Sequence, residues 1–245
     1  MDSGGRPNGR SLAMTQERIP RKVPPGMIDQ WKLRQTELRE RLVIAPLEKV
    51  PRFIAGADAC FDEAGSQVIA CALVWDREQR KLVDLVQAIR PLEVPYVPTF
   101  LSFREGPAVM EAIGRLSHPF GVVCFDGQGY AHPRRCGLAT HIGVSMDLCA
   151  IGCAKSRLIG EHKEPAQKAG SSARLMHKGE QIGLVLRTQE GTRPIFASIG
   201  HRVDLKAVKR VLMACCTRYR VPEPTRLADI EVAKMKKVII NARRD

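Results

Sequence analysis

Two carboxylates stand where an acidic side chain is costly unless it has a partner. Asp58 interrupts the apolar run Ile54 to Phe61, and Asp126 directly follows the apolar run Phe120 to Phe125. A charge in a buried strand needs an ion pair or a metal ion to offset its lost hydration. Both residues are therefore candidates for metal-assisted chemistry. The alternatives are a solvent-facing edge strand for Asp58 and a simple Asp-Gly turn for Asp126.

Two further carboxylates join them as candidates. Glu105 precedes Gly106 and Pro107, where Pro107 is expected to start a helix, and a carboxylate there also interacts favourably with the helix dipole. Asp229 follows Arg226 by three residues, a spacing that also forms ordinary ion pairs within a helix. Oxygen ligands of this kind suit Mg²⁺ or Mn²⁺. The four carboxylates therefore predict a divalent-cation site for chemistry on a phosphate.

Basic side chains lie close to these carboxylates in the sequence. The run Asp126 to Ala139 contains two glycines that permit a tight turn, followed by His132 and two arginines. Lys155 ends the small-residue strand predicted over residues 148–154, where it could contact a phosphate or simply be solvated. Carboxylate, imidazole and guanidinium groups near one strand end are the set that phosphate chemistry requires.

The order of the predicted elements favours a mixed α/β sheet with flanking helices. A helix over residues 27–43 precedes an antiparallel meander of three strands. Strands then alternate with helices, an order shared by the ribonuclease H-like arrangement. Residues 161–179 show no clear periodicity. The predicted strands cover residues 54–61, 67–75, 81–89, 120–125, 148–154, 183–187 and 194–199, and the later helices cover residues 108–116, 138–146, 204–216 and a segment from about 225.

Composition points to a polyanionic partner. The 39 Lys and Arg residues outnumber the 26 Asp and Glu residues, for a net charge of +13, which favours nucleic acid first and an anionic membrane surface second. No apolar run is long enough to cross a bilayer. The 8 cysteines form no metal-binding spacing, which favours free thiols in the cytoplasm. Residues 1–25 are expected to form a disordered basic tail, and residues 26–245 a single catalytic domain that is a monomer.

Seven motifs appear together in one order. With them the chain resembles the endonuclease V family of deoxyinosine-directed repair nucleases, over roughly residues 30 to 230. Each motif alone is weakly specific, whereas seven in order are highly specific. They are Gly56–Asp58, Pro95–Pro98, Leu101–Pro107, Asp126–Ala139, Gly152–Ser156, Gly200–Arg202 and Pro222–Asp229.

The resemblance implies a role for each matched residue. Asp58, Glu105 and Asp126 would bind the metal, with Asp229 at a fourth position that varies in the family. His132 and Lys155 would approach the cleaved phosphate. The remaining roles are a strand-separating wedge formed by Tyr96 between Pro95 and Pro98, and a base pocket formed by backbone groups near Gly137, Leu138 and Ala154. Thr99 departs from the glycine that follows the wedge in many members, and its side chain would narrow the pocket.

The resemblance also implies a reaction. A Mg²⁺-dependent enzyme, with Mn²⁺ as a substitute, would nick DNA on the 3′ side of deoxyinosine, one nucleotide beyond the lesion. Three alternatives stay open: an endoribonuclease for inosine in RNA on the same scaffold, a noncatalytic nucleic-acid-binding protein, and a more distant phosphotransferase. The second would be expected to lack a carboxylate, and the third would need glycine-rich phosphate loops that are not found.

Overall fold

One eight-stranded sheet forms the centre of the molecule. The structure, a computed structural model, describes residues 23–243. The strand order is β3-β2-β1-β4-β5-β8-β7-β6, in which β1, β4 and β5 are parallel and the other pairs are antiparallel. The strands are β1 Phe53–Asp62, β2 Gln67–Asp76, β3 Lys81–Pro91, β4 Val122–Phe125, β5 Ala150–Ala154, β6 Ser172–His177, β7 Glu180–Leu186 and β8 Ile195–His201.

Helices cover both faces of this sheet. Side chains of α4 and α5 pack in the core of one face, and those of α2 and α3 pack in the core of the other. Helix α1 lies against α3. Because β1 is covered on both faces, its alternate residues enter different cores. Ile54 packs in the core beneath α4 and α5, and Ala55 packs in the core beneath α2 and α3. The helices are α1 Met27–Glu40, α2 Leu101–Gly114, α3 Leu138–Met146, α4 Leu205–Cys215 and α5 Glu223–Asn241.

The predicted meander and most of the later elements are confirmed. Strands β1, β2 and β3 pair antiparallel in chain order, and Asp204 caps α4 by accepting a hydrogen bond from the Ala207 N–H. β1 lies between β2 and β4. Asp58 is therefore in a central strand, and the edge-strand alternative for this residue is wrong. The unassigned range 161–179 contains the edge strand β6.

The expected helix start at Pro107 is wrong. Helix α2 begins at Leu101, so Pro107 is inside it and Glu105 belongs to its second turn. A proline there removes one helical hydrogen bond. The first turn is held instead by aromatic packing, because the rings of Phe100 and Phe103 lie 5.5 and 5.0 Å from the ring of Trp31.

All eight cysteines lie among the described residues and are free thiols, as predicted. No helix within residues 23–243 combines the length and apolar character needed to cross a bilayer. Most of the predicted basic tail, residues 1–22, lies outside the described residues. The division into a tail and one catalytic domain stays a prediction.

Helix α5 can approach the sheet closely because residue 56 is glycine. A Cβ atom at Gly56 would collide with the backbone carbonyl of Pro224, in the first turn of α5. The approach matters for the site because α5 also carries Asp229. A side chain at position 56 would push this helix, and the carboxylate on it, away from the strand.

We expect Gly56→Ala to lower the free energy of unfolding by about 1–3 kcal/mol, the usual cost of forcing an extra methyl into a packed site. Gly114→Ala is the matched control, since a Cβ there meets only the methyl end of Met146, 4.0 Å away. The control should change stability by about 1 kcal/mol or less and in the stabilising direction. Urea denaturation measures both, and equal effects would contradict the close contact.

Candidate active site

Adjacent parallel strands bring Asp58, Asp126 and Lys155 to one edge of the sheet. Ala57 pairs with Phe125 across β1 and β4, and Phe125 pairs with Gly152 across β4 and β5. Asp58 and Asp126 each follow the paired residue of their strand, and Lys155 follows the end of β5. The carboxyl ends of parallel strands meet at the same edge, which is where α/β sheets carry their sites.

Helix α5 adds Asp229 to this edge. One carboxylate oxygen each of Asp58, Asp126 and Asp229 lies within 4.8 Å of the others. Arg226, the alternative partner for Asp229, pairs instead with Glu223 at 2.6 Å. The ammonium of Lys155 contacts Asp126 at 2.6 Å and Asp229 at 3.2 Å. The sheet edge and the helix therefore assemble three acidic groups around one lysine.

Burial and neighbouring charges change the pKa values of Asp58 and Lys155. Burial, with the charge of Asp126 adding to it, raises the pKa of Asp58 from 3.8 to about 7. Burial alone would lower the pKa of Lys155, but its bonds to Asp126 and Asp229 outweigh that effect and raise it to about 12. The lysine is thus a permanent cation beside Asp58, whose carboxyl resists ionisation.

Glu105 lies beside this group on α2. Its side chain is buried, and burial together with the charges of Asp58 and Asp126 raises its pKa well above the usual value. It does not join the three aspartates whose oxygens lie within 4.8 Å of one another. The structure therefore brings Asp229 fully into the carboxylate group and leaves Glu105 at its side.

The donor set fits a divalent cation. Three carboxylate oxygens within 4.8 Å of one another supply hard ligands, and one Lys155 ammonium leaves excess negative charge among them. The raised pKa of Asp58 shows the cost of keeping this buried carboxyl ionised beside Asp126 without a cation. Asp58, Asp126 and Asp229 would hold the ion, with the buried carboxyl of Glu105 beside them.

A cavity of about 390 Å³ opens directly beside the carboxylates. Asp126 and Lys155 form part of both the cavity wall and the charged group. The three predicted base-pocket residues, Gly137, Leu138 and Ala154, all line this cavity. So do Tyr96, whose side chain is 62% exposed, and Thr99. The structure therefore gathers the predicted wedge and the predicted pocket around one space.

The loop after Asp126 reaches this position because its backbone lies directly on β5. A Cβ atom at Gly152 would meet the backbone nitrogen of Gly129 and the carbonyl of Gly127. Only glycine permits this approach, so the missing side chain at residue 152 lets the loop that lines the cavity lie against β5.

His132 contributes to the cavity wall as a neutral ring. Its Nδ1 accepts the Arg134 backbone N–H at 3.2 Å, so Nε2 carries the proton and donates to the Thr99 carbonyl at 3.0 Å. Burial, with a contribution from the Arg134 charge, lowers its pKa from 6.5 to about 4. Both nitrogens thus have partners on the protein, and the role of His132 at the cleaved phosphate stays a prediction.

Comparison with known proteins identifies the family. The family model for endonuclease V matches residues 36–230. A protein named endonuclease V from Roseiflexus sp. (strain RS-1) is 42% identical over 205 residues, which cover 84% of this chain and 91% of that protein. The chain belongs to the endonuclease V family. It is therefore a nuclease, and nucleases of this family are metal-dependent, in keeping with the aspartate group.

Solved structures of endonuclease V share the fold. The crystal structure from Streptomyces avermitilis superposes with a TM-score of 0.83 at 37% identity, and covers 86% of this chain and 94% of that one. A second structure is that of a Ciona intestinalis endonuclease V in complex with a 23mer DNA that contains an inosine followed by a ribo-adenosine. It superposes with a TM-score of 0.77 at 25% identity, and the match covers 89% of this chain and 100% of that one. The expected ribonuclease H-like mixed sheet is confirmed.

Several residues in or next to the cavity wall of this endonuclease V were not predicted from the sequence. Gln128, inside the Asp126 run, lines the cavity, and its Nε2 donates to the Ser156 carbonyl at 3.0 Å. Arg157 and Leu158 line the cavity just after Lys155. Gln35, on α1, is fully buried and bonds to the Cys136 carbonyl at 3.0 Å. A buried glutamine on a polar helix leaves no periodic signal. Gln128 lies inside the matched motif Asp126–Ala139, and Arg157 directly follows the motif Gly152–Ser156, so both could have been found.

In metal-free buffer at pH 8, Asp58→Asn should make the protein more stable. The pKa of this carboxyl is about 7 when folded against 3.8 as a model group, so wild-type stability falls as the pH rises between those values. The gain is at most about 4 kcal/mol, since one pKa unit corresponds to about 1.4 kcal/mol. It should vanish near pH 4, and urea unfolding in EDTA at both pH values measures it.

Asp84→Asn is the matched control, for which the expected change in stability at pH 8 has the opposite sign. Burial alone would raise the pKa of Asp84, but hydrogen bonds from the backbone N–H groups of His118 and Ser117 lower it. This carboxylate therefore stabilises the fold above its unfolded pKa, and its removal should cost stability at pH 8. If both variants shifted stability in the same direction, the assignment of Asp58 as a destabilising charge would be wrong.

Proposed function

We propose that this endonuclease V nicks DNA at deoxyinosine in a Mg²⁺-dependent reaction, on the 3′ side and one nucleotide beyond the lesion. The observation that carries the proposal is the cavity of about 390 Å³ beside the aspartate group, with Asp126 and Lys155 in both. Its volume falls within the roughly 300–1,000 Å³ range of small-ligand pockets. The inosine-containing DNA bound by the Ciona relative supports a lesion of that type.

Recognition of the base is the task assigned to the cavity. An extruded hypoxanthine would lie against backbone groups near Gly137, Leu138 and Ala154, and the missing or short side chains of Gly137 and Ala154 allow close approach. Tyr96 projects from a segment that prolines at 95 and 98 stiffen, and its ring is mostly exposed. An aromatic ring in that position can replace the stacking that the duplex loses when a base leaves it.

Hydrolysis is the task assigned to the carboxylates and the lysine. Asp58, Asp126 and Asp229 would hold Mg²⁺, or Mn²⁺ as a substitute, with Glu105 beside them. A bound divalent cation supplies an activated water and neutralises charge that develops on the phosphate. Lys155 remains charged at any physiological pH, because the neighbouring aspartates raise its pKa to about 12. Its ammonium can therefore move from these carboxylates to a phosphate oxygen.

Cleavage of matched labelled oligonucleotides tests the proposal. DNA and RNA strands, each with or without one inosine, are incubated with the full chain in Mg²⁺ or in EDTA. We expect nicking only in Mg²⁺ and only beside inosine in DNA. Better cleavage of the RNA would favour the endoribonuclease alternative. Inosine-selective binding without cleavage would instead show a noncatalytic binding protein, and cleavage that ignores inosine would overturn the assignment of the base pocket.

Substitutions should separate hydrolysis from lesion recognition. Asp126→Ala is expected to lower the cleavage rate more than about a thousandfold, since a metal site stabilises the transition state by several kcal/mol, while inosine binding persists. Tyr96→Ala should weaken inosine binding about tenfold, in line with about 1–3 kcal/mol for stacking of one base on an aromatic ring. Single-turnover cleavage and fluorescence anisotropy measure the two quantities.

Tyr219→Ala is the control for loss of an aromatic ring. Tyr219 is 43% exposed, lies outside the cavity lining, and stacks on the Arg226 guanidinium, 4.3 Å from its ring centre. The Tyr219→Ala substitution should therefore leave inosine binding unchanged. Equal loss of binding and cleavage in both site variants would contradict the division of tasks.

A further inference from the structure

Thr99 adopts a backbone conformation that its side chain disfavours. Its φ is +69°, in the left-handed region where a β-branched residue is strained. Strain of this kind persists only where the surroundings over-determine the conformation. Thr99 directly follows the proline-flanked segment 95–98, and a hydrogen bond from the Phe100 N–H to the Val97 carbonyl closes the turn between them. Whatever holds Thr99 therefore also holds one end of the segment that carries Tyr96.

Three side chains converge on the carbonyl oxygen of Thr99. Gln35 Nε2 donates to it at 3.1 Å, His132 Nε2 at 3.0 Å and Arg134 Nη2 at 3.0 Å. The same Arg134 nitrogen donates to the Thr99 hydroxyl at 2.6 Å. A carbonyl has two lone pairs, so three donors saturate it. These hydrogen bonds hold the backbone of Thr99 in its strained conformation.

Further contacts on the protein hold these donor side chains in place. The Nε of Arg134 donates to the Oε1 of Gln35, a residue with no exposed surface. The Arg134 guanidinium also lies over the Phe100 ring, 4.2 Å from its centre, and Phe100 packs on Trp31. Helix α1 therefore stabilises the turn through both Gln35 and Trp31.

These contacts connect α1 and the loop after Asp126 to the predicted wedge. We propose that Arg134 and Gln35 are positioning residues, which act through Thr99 to hold Tyr96 at the rim of the base cavity. The inference rests on the proposed function of that cavity. It assigns to Arg134 and Gln35 an effect on lesion engagement and not on hydrolysis, because neither residue is among the carboxylates or their lysine.

A direct contact between Arg134 and a substrate phosphate is the competing explanation. Its Nε and Nη2 are already engaged with Gln35 and Thr99. The two explanations differ in salt dependence. Loss of a phosphate contact lowers the slope of log affinity against log salt by about 1, whereas loss of a positioning residue leaves that slope unchanged.

A substrate-free measurement tests the restraint itself. The chain has 3 tyrosines, so biosynthetic 3-fluorotyrosine gives three ¹⁹F resonances, and the variants Tyr96→Phe and Tyr219→Phe assign two of them. We expect Thr99→Val and Arg134→Lys to shift or broaden the Tyr96 resonance and to leave the Tyr219 resonance in place. Thr99→Ser, which keeps the hydroxyl, should match the wild type. An unchanged Tyr96 resonance in both variants would overturn the inference, whatever the substrate is.

Steady-state cleavage of an inosine-containing duplex gives the functional readout. Thr99→Val and Arg134→Lys are expected to raise KM about five- to tenfold, as for loss of one hydrogen bond to a charged group, with kcat within about threefold of wild type. Thr99→Ser, which keeps the hydroxyl, should have the KM of the wild type. A fall in kcat at unchanged KM would contradict a positioning role. The wild-type preference for inosine over guanosine in the same duplex tests the proposed function separately.

Arg34→Gln is the matched control for Arg134→Gln. Arg34 is exposed on α1 and paired with Glu37 at 3.1 Å, so its loss removes the same charge without touching Thr99. Both variants should show equal salt slopes of binding, measured by anisotropy in EDTA with the labelled duplex, and only Arg134→Gln should lose inosine affinity. A slope lower by about 1 for Arg134→Gln alone would identify a phosphate contact and overturn the positioning role.

Discussion

Mutual repulsion among carboxylates at one edge of the sheet is the constraint on which the rest of the site depends. Asp58, Asp126 and Asp229 place oxygens within 4.8 Å of one another, and at Asp58 burial, with the charges of Asp126 and Asp229 adding to it, raises the pKa of the carboxyl. A fold gains nothing in stability from such a group, since like charges close together oppose ionisation. Lys155 offsets only part of the charge. The excess is what a divalent cation would neutralise.

The backbone makes this concentration of charge possible. Parallel pairing of β1 with β4 and of β4 with β5 brings the strand ends into line, and missing side chains at Gly56 and Gly152 let α5 and the loop after Asp126 approach the sheet. The two glycines contribute no chemistry of their own. They set the distances at which Asp229 and the cavity wall stand from the strand ends.

The proposed tasks of recognition and hydrolysis meet at shared residues and otherwise use different parts of the chain. Asp126 and Lys155 belong to both the charged group and the cavity wall. The far wall comes from the turn at Thr99, whose strained backbone is held by side chains from α1 and from the loop at His132 and Arg134. Rigid placement of a base relative to a phosphate requires such a connection, because the two groups are joined only through the flexible substrate backbone.

The sequence by itself determined all strands except β6, the family and the candidate carboxylates, because apolar runs and short motifs are local signals. It misplaced the start of α2, since packing of Phe100 and Phe103 on Trp31 outweighed the preference of Pro107 for a first turn. Only the tertiary structure decided that Asp229 joins the aspartates and that Gln35 reaches Thr99, 64 residues away. Contacts between such distant segments depend on how helices dock on the sheet, which no local pattern encodes.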